Sequence, residues 1–153
     1  MRFRMVDRIV AFEAGRSIRA VKTVSFEEYR LKAAFGDPPY LPESLVLETV
    51  FQAALWLVMI SSEFTQMGLV VGVEEVRFVN PVGPGDRLSL EVEAGCYRVD
   101  SVRFDGRVQA DGKIVADVRG CLADVVQLAE YCKPDDMKVL FSEIYNPDNG
   151  GVG

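Results

Sequence analysis

One apolar segment of the sequence carries a single line of polar side chains that could do chemistry. Ser44, Glu48 and Gln52 are spaced four residues apart between Glu43 and Glu63, so in a helix they share one face. A carboxylate held among apolar side chains can transfer a proton in a reaction. Glu48 is therefore the candidate catalytic residue. The alternative is that the three side chains form an ordinary solvent-exposed stripe.

Histidine is absent from the 153 residues of the chain. Its absence removes the commonest general base and excludes the Ser–His and Cys–His pairs of many hydrolases. The three cysteines, Cys96, Cys121 and Cys132, include no Cys-x-x-Cys pair. A zinc site is not expected from such a set, and neither a metal nor a cofactor is implied. We expect buried or half-buried thiols in a reducing compartment.

The bulk composition is that of one soluble globular domain. Apolar residues make up 49% of the chain, charged residues 26%, and the net charge is −6, which disfavours binding to nucleic acid. The first residues are charged and lack the apolar core of a signal peptide. The longest apolar stretch, Ala53 to Ile60, is too short to cross a bilayer. We expect a cytoplasmic protein that binds neither nucleic acid nor a membrane.

The elements that position Glu48 begin with a rigid loop. Residues 35–42 contain three prolines, which lack the N–H that a helix interior or a central strand requires. Pro42 stands where its fixed φ suits the start of a helix. From Glu43 to about Glu63 the residues are apolar almost all round, which predicts a long helix that is buried on most sides.

The other segments predict strands. A β-branched or alternating pattern recurs in five segments: 17–26, 69–79, 87–97, 102–110 and 113–123. Asp111-Gly112 lies between two alternating runs and predicts a hairpin turn, whereas Asp105-Gly106 stays inside its strand. The alternation assigns one apolar face to the last three strands: Leu88, Leu90, Val92, Ala94 and Cys96; Val102, Phe104, Gly106, Val108 and Ala110; Ile114, Ala116, Val118, Gly120 and Leu122.

This order of elements predicts an α+β hotdog fold, in which a curved antiparallel sheet wraps one long central helix. A single apolar helix must be enclosed, and the sheet is the only other material in the chain. We expect a hotdog domain at 1–125, an extension with a short helix at 126–145 and a disordered tail at 146–153. Such a monomer leaves a sheet edge open, so a dimer is expected.

Four separated motifs resemble the FabZ-type 3-hydroxyacyl-(acyl carrier protein) dehydratases, over about residues 3–123. They occur in this order: Phe3 to Arg8; Pro39 to Pro42 with Leu45 to Glu48 and Gln52 to Ala54; Arg77-Phe78, Pro81-Val82 and Pro84 to Asp86; and Asp111-Gly112 with Ala116. The resemblance implies the hotdog fold and a dehydratase (lyase) of fatty-acid or polyketide-type metabolism.

The resemblance also implies three catalytic elements, two of which differ here. In the family a histidine removes the C2 proton, a helix carboxylate from the other subunit protonates the leaving hydroxyl, and a backbone N–H polarises the thioester carbonyl. The carboxylate corresponds to Glu48. The histidine corresponds to Ala34, which cannot titrate, and the glycine that supplies the N–H corresponds to Glu43. Whether the protein is an enzyme therefore stays open, and ordinary dehydration is expected to be weak or absent.

By the same resemblance a set of residues is expected to bind substrate: Ala34, Phe35, Tyr40, Leu41, Pro42, Glu43, Gln52, Phe78 and Pro81. The implied partners are an acyl carrier protein or CoA thioester, and a second subunit in a homodimer or in a heterodimer with a histidine-bearing paralogue. Two alternatives remain: a hotdog thioesterase that uses Glu48, and a non-catalytic structural subunit.

Overall fold

In a computed structural model of the protein, residues 4–25 and 40–147 are described. All strand pairs are antiparallel and form one six-stranded sheet in the order β1-β2-β4-β5-β6-β3. The elements are β1 (Arg8–Glu13), β2 (Ser17–Thr23), α1 (Glu43–Ser61), β3 (Gln66–Phe78), β4 (Arg87–Tyr97), β5 (Ser101–Ala110), β6 (Lys113–Gln127), a 3₁₀ turn (Leu128–Glu130) and α2 (Pro134–Ile144).

Helix α1 is the centre of the core, as predicted. Trp56, Leu57 and Val58 are at most 1% exposed, and the helix contacts β2, β3, β4, β5 and β6. Its length and apolar composition would suit a membrane span, but here the sheet encloses it. The helix ends because Glu63 and Phe64 adopt positive φ values of 53° and 62°, which are left-handed conformations that no helix continues through. The predicted α+β fold is confirmed.

The sheet approaches the helix closely at Gly106 in β5. A Cβ atom built on Gly106 would lie 2.6 Å from Cγ1 of Val50, which is closer than two carbon atoms can pack. Asp105-Gly106 therefore lies inside a strand, as predicted, and the glycine lets the sheet curve onto α1. The predicted turn is also confirmed, because Asp111 and Gly112 have φ values of 50° and 74° between β5 and β6.

A bulge in β6 changes which side chains face the core. Phe104 pairs with Cys121, but Gly106 pairs with Val118, so β6 carries an extra residue opposite Asp105. Gly120 has φ +65°, and its N–H donates to Oδ1 of Asp105 at 2.9 Å. Beyond the extra residue, the side chains of β6 that would have faced the core face solvent, and those that would have faced solvent face the core. Leu122 is consequently 42% exposed, and its predicted inward orientation is wrong.

A second irregularity in β4 corrects the position of Cys96. The register shifts between Ala94 and Tyr97, so Tyr97 packs against the core and Cys96 is exposed. Burial raises the pKa of Tyr97 above its usual value, although a hydrogen bond with Ser61 acts in the opposite direction. The prediction that Cys96 is buried is wrong. Cys121 and Cys132 are buried and half-buried as expected.

The extension after β6 pairs at Ile9 with the outer edge of β1, a strand that the sequence analysis did not predict. Tyr145 forms a parallel bridge with Ile9, and the Asn146 N–H donates to the Ile9 carbonyl at 3.0 Å. Helix α2 lies within this extension, and its Phe141 ring is 5.1–6.3 Å from four other aromatic rings, those of Phe12, Trp56, Phe64 and Tyr145. The extension thus packs on the same core. Residues 148–153 lie outside the described residues.

Candidate active site

A cleft of about 140 Å³ lies where α1 begins and β3 ends. It brings together five of the residues that the sequence motifs assigned to substrate binding: Tyr40, Leu41, Glu43, Phe78 and Pro81. Five further residues also line it: Val46, Val79, Asn80, Val82 and Val115. The motifs before α1 and after β3 therefore meet in space.

Backbone hydrogen bonds hold the two sides of the cleft together. The Leu41 N–H donates to the Val82 carbonyl at 2.8 Å, and the Val79 N–H donates to the Val115 carbonyl at 2.8 Å. The side-chain amide of Asn80 donates to the Ile114 carbonyl at 2.7 Å. These bonds join the loop before α1 to the segment after β3 and join that segment to β6. The cleft is therefore formed by fixed backbone.

The floor of the cleft is apolar, and its rim carries apolar side chains beside the polar Glu43 and Asn80. Leu41, Val46, Val82 and Val115 are at most 3% exposed and form the floor. The rim carries large apolar side chains that face solvent: Tyr40 at 41%, Phe78 at 37% and Val79 at 51% exposure. An apolar group that entered the cleft would gain free energy by leaving water.

The N-terminus of α1 opens beside this cleft. The first residue before the helix is Pro42, and no side chain among the described residues caps the helix. The Pro42 carbonyl accepts the N–H groups of Leu45 and Val46, as in any first turn. The first N–H groups of a helix carry a partial positive charge and attract anions. The exposed carboxylate of Glu43 compensates this charge within the first turn.

Glu48 does not line this cleft, and neither does Gln52. Val46 faces the cleft, and two helical residues further on the side chain points about 200° away around the axis. Glu48 is half-buried on that other side of α1. Within one protomer, the cleft and the carboxylate thus lie on opposite sides of the same helix.

The carboxylate of Glu48 is held by the side-chain amide of Gln52. Gln52 Nε2 donates to Glu48 Oε1 at 3.4 Å, while Gln52 Oε1 accepts the Met5 N–H at 2.8 Å. The Met5 donor requires the amide oxygen on its side, so the amide nitrogen must face Glu48. Ser44 is exposed and Glu48 is half-buried, whereas Gln52 is only 4% exposed. The three polar side chains therefore become more buried along the helix. The alternative of a solvent-exposed stripe is wrong at Gln52.

Asp7, which belongs to the first motif, binds two residues of β2. Its Oδ2 accepts the Thr23 N–H at 2.7 Å, and its Oδ1 lies 3.9 Å from Nζ of Lys22, whose side chain is 9% exposed. Arg8 Nε donates to the Asn146 carbonyl at 2.9 Å. The motif thus fastens the N-terminal segment to β2 and to the C-terminal extension. Ala34 and Phe35 lie outside the described residues.

A larger depression of about 340 Å³ on the outer face of the sheet is a poor candidate site. Its lining is mainly charged, with Glu91, Glu93 and Asp105 beside Arg107 and Arg119. Arg107 is already paired, because its Nε lies 2.8 Å from Asp117 Oδ1. None of the described residues assigned to substrate binding lines this depression. We therefore place the candidate site at the smaller apolar cleft.

Among the cleft residues that the sequence analysis did not assign, two kinds can be distinguished. Val46 is three residues after Glu43, and Asn80 and Val82 flank Pro81, so helical spacing and adjacency could have found them. Val115 comes from β6 and reaches the cleft only through strand pairing, for which no local signal exists.

Comparison with solved structures supports the fold. A Streptococcus mutans protein, smu.793, solved with acetyl-CoA, matches with a TM-score of 0.60 over 78% of this chain and 86% of that chain, at 16% identity. The thioesterase HI1161 from Haemophilus influenzae matches with a TM-score of 0.61 over 82% of this chain and 81% of that chain, at 15% identity. At these identities the likeness establishes the fold alone, and that fold is the hotdog fold.

Comparison of sequences identifies the family. The FabA-like domain matches residues 1–119. The 3-hydroxyacyl-(acyl carrier protein) dehydratase FabZ of Yersinia enterocolitica is 37% identical over 149 residues, which cover 95% of this chain and 84% of that protein. Together with the convergence of the motif residues on one cleft, these matches establish that the chain belongs to the FabA-like family, among relatives of the FabZ dehydratases.

Proposed function

We propose that the protein binds acyl thioesters, of acyl carrier protein or CoA, in fatty-acid or polyketide-type metabolism in the cytoplasm, and that ordinary dehydration by the protein alone is impaired. The observation that carries the proposal is the cleft with an apolar floor at the N-terminus of α1. The name of the curated relative, a dehydratase acting on acyl carrier protein substrates, supports the same substrate class.

In this proposal the acyl group lies on the apolar floor and its carbonyl oxygen faces the first turn of α1. The N–H groups there polarise the carbonyl and stabilise negative charge that develops on its oxygen. The exposed Glu43 carboxylate stands in the same turn and weakens that effect by repulsion. Ala34 replaces the proton-abstracting histidine, so no imidazole removes the C2 proton.

A second subunit is part of the proposal, because Glu48 points away from the cleft of its own chain. Among the described residues β3 pairs with β6 alone, and its other edge carries Val71 at 62% exposure. The opposite edge of the sheet, β1, is covered by residues 145 and 146. We expect two chains to join along β3, with Glu48 of each facing the cleft of the other.

The choice between a homodimer and a heterodimer decides whether dehydration occurs. A homodimer contains no histidine and is expected to dehydrate more slowly than a histidine-bearing relative by roughly 10²–10⁴, the usual contribution of a general base. A heterodimer with a histidine-bearing paralogue would combine that histidine with Glu48. Mixing the chain with such a paralogue and measuring activity against each homodimer distinguishes the two.

The test of the proposal is Ala34→His with Glu48 intact, assayed with a 3-hydroxyacyl thioester of acyl carrier protein. We expect dehydration to appear in Ala34→His and to remain absent in Ala34→Gln, the matched polar variant without an imidazole. Binding of the acyl thioester by the unaltered protein is measured in parallel. Binding to neither carrier would contradict the proposal and favour a non-catalytic structural subunit. Family-like turnover by the unaltered protein would contradict the impairment.

A hotdog thioesterase is the second candidate function, and the Glu48–Gln52 pair favours it. A half-buried carboxylate that an amide holds in place can activate water without a histidine. Release of free thiol from acyl-CoA or acyl carrier protein should then be lost in Glu48→Gln. Thiol release that persists in this variant would exclude Glu48 as the base.

A further inference from the structure

We propose that the second subunit is another copy of this chain, joined along β3 about a twofold axis at Val76. This inference rests on the proposed function, since it names the partner that brings a second Glu48 to the cleft. Its basis is the charge pattern of the open edge of the sheet. Glu75 and Arg77 flank Val76 and are both exposed, and a twofold axis at Val76 places each of them opposite the other in the partner.

A bulge in β3 restricts the part of this edge that can pair with another strand. The register with β6 shifts between Val70 and Gly72, and Val71 between them is 62% exposed. A bulge bends an edge strand and interrupts its pairing, and an axis at Gly72 or Val73 would include it. From Gly72 to Phe78 the register with β6 is continuous. We therefore expect pairing to centre in this second half of β3.

Like charges disfavour the neighbouring registers. In an antiparallel pair about a twofold axis, the residue on the axis lies opposite its own copy. Opposite charges on facing residues stabilise such a pair, and like charges destabilise it. An axis at Glu74, Glu75 or Arg77 places two like charges opposite each other, and an axis at Phe78 leaves only the end of β3 to pair. An axis at Val76 instead places two valines opposite each other and forms the Glu75–Arg77 pair twice.

The side chains of Glu75 and Arg77 are available for this pairing, whereas that of Glu74 is not. Both carboxylate oxygens of Glu74 accept hydrogen bonds from Arg103, at 2.6 and 2.8 Å. Glu74 also lies over Gly120 of β6, where an added Cβ would come within 2.6 Å of it. Among the described residues, neither Glu75 nor Arg77 has an ion-pair partner. Each can therefore pair with a second chain without breaking an ion pair in its own.

This axis lies close to the cleft. Val76 is two residues before Phe78, which lines the cleft, so the axis passes about 7 Å from Phe78 along the strand. The second chain therefore lies beside the cleft, as a site completed by the partner's Glu48 requires. A heterodimer needs no self-complementary edge, because its two chains carry different residues. The Glu75–Arg77 pattern thus favours a second copy over a histidine-bearing paralogue.

The first test measures the dimer dissociation constant of the full chain by analytical ultracentrifugation. Glu75→Arg and Arg77→Glu each place like charges opposite each other twice, and we expect each to raise the dissociation constant about tenfold. The increase should shrink at high salt, because exposed charges are screened. Arg19→Glu is the matched control. Arg19 is exposed on β2, and β4, β5 and β6 separate it from β3, so this variant should dimerise as the unaltered protein does.

The second test mixes the two charge variants. Glu75→Arg carries two positive charges beside Val76 and Arg77→Glu carries two negative ones, so a dimer with one chain of each regains both opposite-charge pairs. Random pairing gives half of all dimers as mixed dimers, and native mass spectrometry should show a larger share. A variant that had merely failed to fold would not be rescued by mixing.

Three results would overturn the inference. An unchanged dissociation constant in both charge variants would refute the axis at Val76. A chain that stays monomeric at every concentration would refute the second copy and leave the paralogue as the partner. Lower affinity for acyl carrier protein in Arg77→Glu, with an unchanged dimer, would mean that Arg77 binds the carrier instead.

Binding of the acyl thioester, measured on the same samples, separates this inference from the proposed function. If the thioester binds in any of these three cases, the proposed function stands without the interface. A dimer that responds to both tests as expected but binds neither carrier would refute the proposed function and leave the interface intact.

Discussion

The side-chain amide of Gln52 connects the carboxylate of Glu48 to the backbone N–H of Met5. The amide donates to Glu48 at 3.4 Å and accepts from Met5 at 2.8 Å. A residue near the N-terminus thereby orients a carboxylate on the central helix. Because Gln52 is buried, water does not readily replace either partner.

Gln52→Leu should destabilise the protein by about 1–3 kcal/mol, since it leaves the Met5 N–H buried without its acceptor. Urea denaturation measures the change in the free energy of unfolding. Gln127→Leu, at the exposed end of β6, is the control and should change the free energy by less than about 0.5 kcal/mol. Equal stability of the two variants would contradict a structural role for the Met5 contact.

Gly106→Ala should destabilise the protein by about 1–3 kcal/mol through overpacking, because the added methyl would lie 2.6 Å from Val50 Cγ1. Gly72→Ala is the matched control in β3, where an added Cβ meets nothing within 4 Å. The double variant Gly106→Ala with Val50→Ala should recover part of the loss, so the two changes should not be additive. Additive losses would mean that the two residues do not interact.

The cysteines should differ in reactivity. Cys96 is exposed and Cys121 is buried, and burial raises the pKa of the Cys121 thiol from 9.0 to about 11. The thiolate is the reactive form, so raising the pKa lowers its fraction at neutral pH. Alkylation followed by mass spectrometry should modify Cys96 in the folded protein and Cys121 only after denaturation. Rapid labelling of Cys121 in the native state would contradict its placement.

Phe141→Ala should destabilise the protein by about 2 kcal/mol. A fully buried Phe costs roughly 3–5 kcal/mol when it is truncated, and Phe141 is only partly buried against the core. Thermal unfolding measures the loss, and Val139→Ala, on the exposed side of α2, serves as the control. If both variants unfold at the same temperature as the unaltered protein, the extension does not contribute to the core.

The helix and most strands were predictable because their signals are local. Apolar composition defines α1, alternation defines β4 and β5, and Asp111-Gly112 has the sequence of a tight turn. The bulge at Gly120 was not predictable, since it depends on the neighbouring strand, where Asp105 accepts the Gly120 N–H. The burial of Leu122 was therefore predicted wrongly, and that of Cys96 was predicted wrongly because β4 has its own register shift between Ala94 and Tyr97. One extra residue in a strand reverses every side chain beyond it.

The candidate site was predictable in part for the same reason. Residues within the motifs, such as Tyr40 and Pro81, were assigned from the resemblance and do meet in the cleft. The opposite orientations of Val46 and Glu48 follow from helical geometry, but only the sheet determines which side of α1 holds a cavity.

The hydrogen bonds from Asn146 to Ile9 and from Arg8 to Asn146 affect how copies of the chain can assemble. A sheet with two open edges can add strands indefinitely and grow into fibres. A sheet with one protected edge has a single place for another copy, and a twofold axis there uses up both exposed strands. In the dimer proposed above along β3, we therefore expect growth to end at two chains, because the C-terminal extension pairs with the edge of β1 at Ile9.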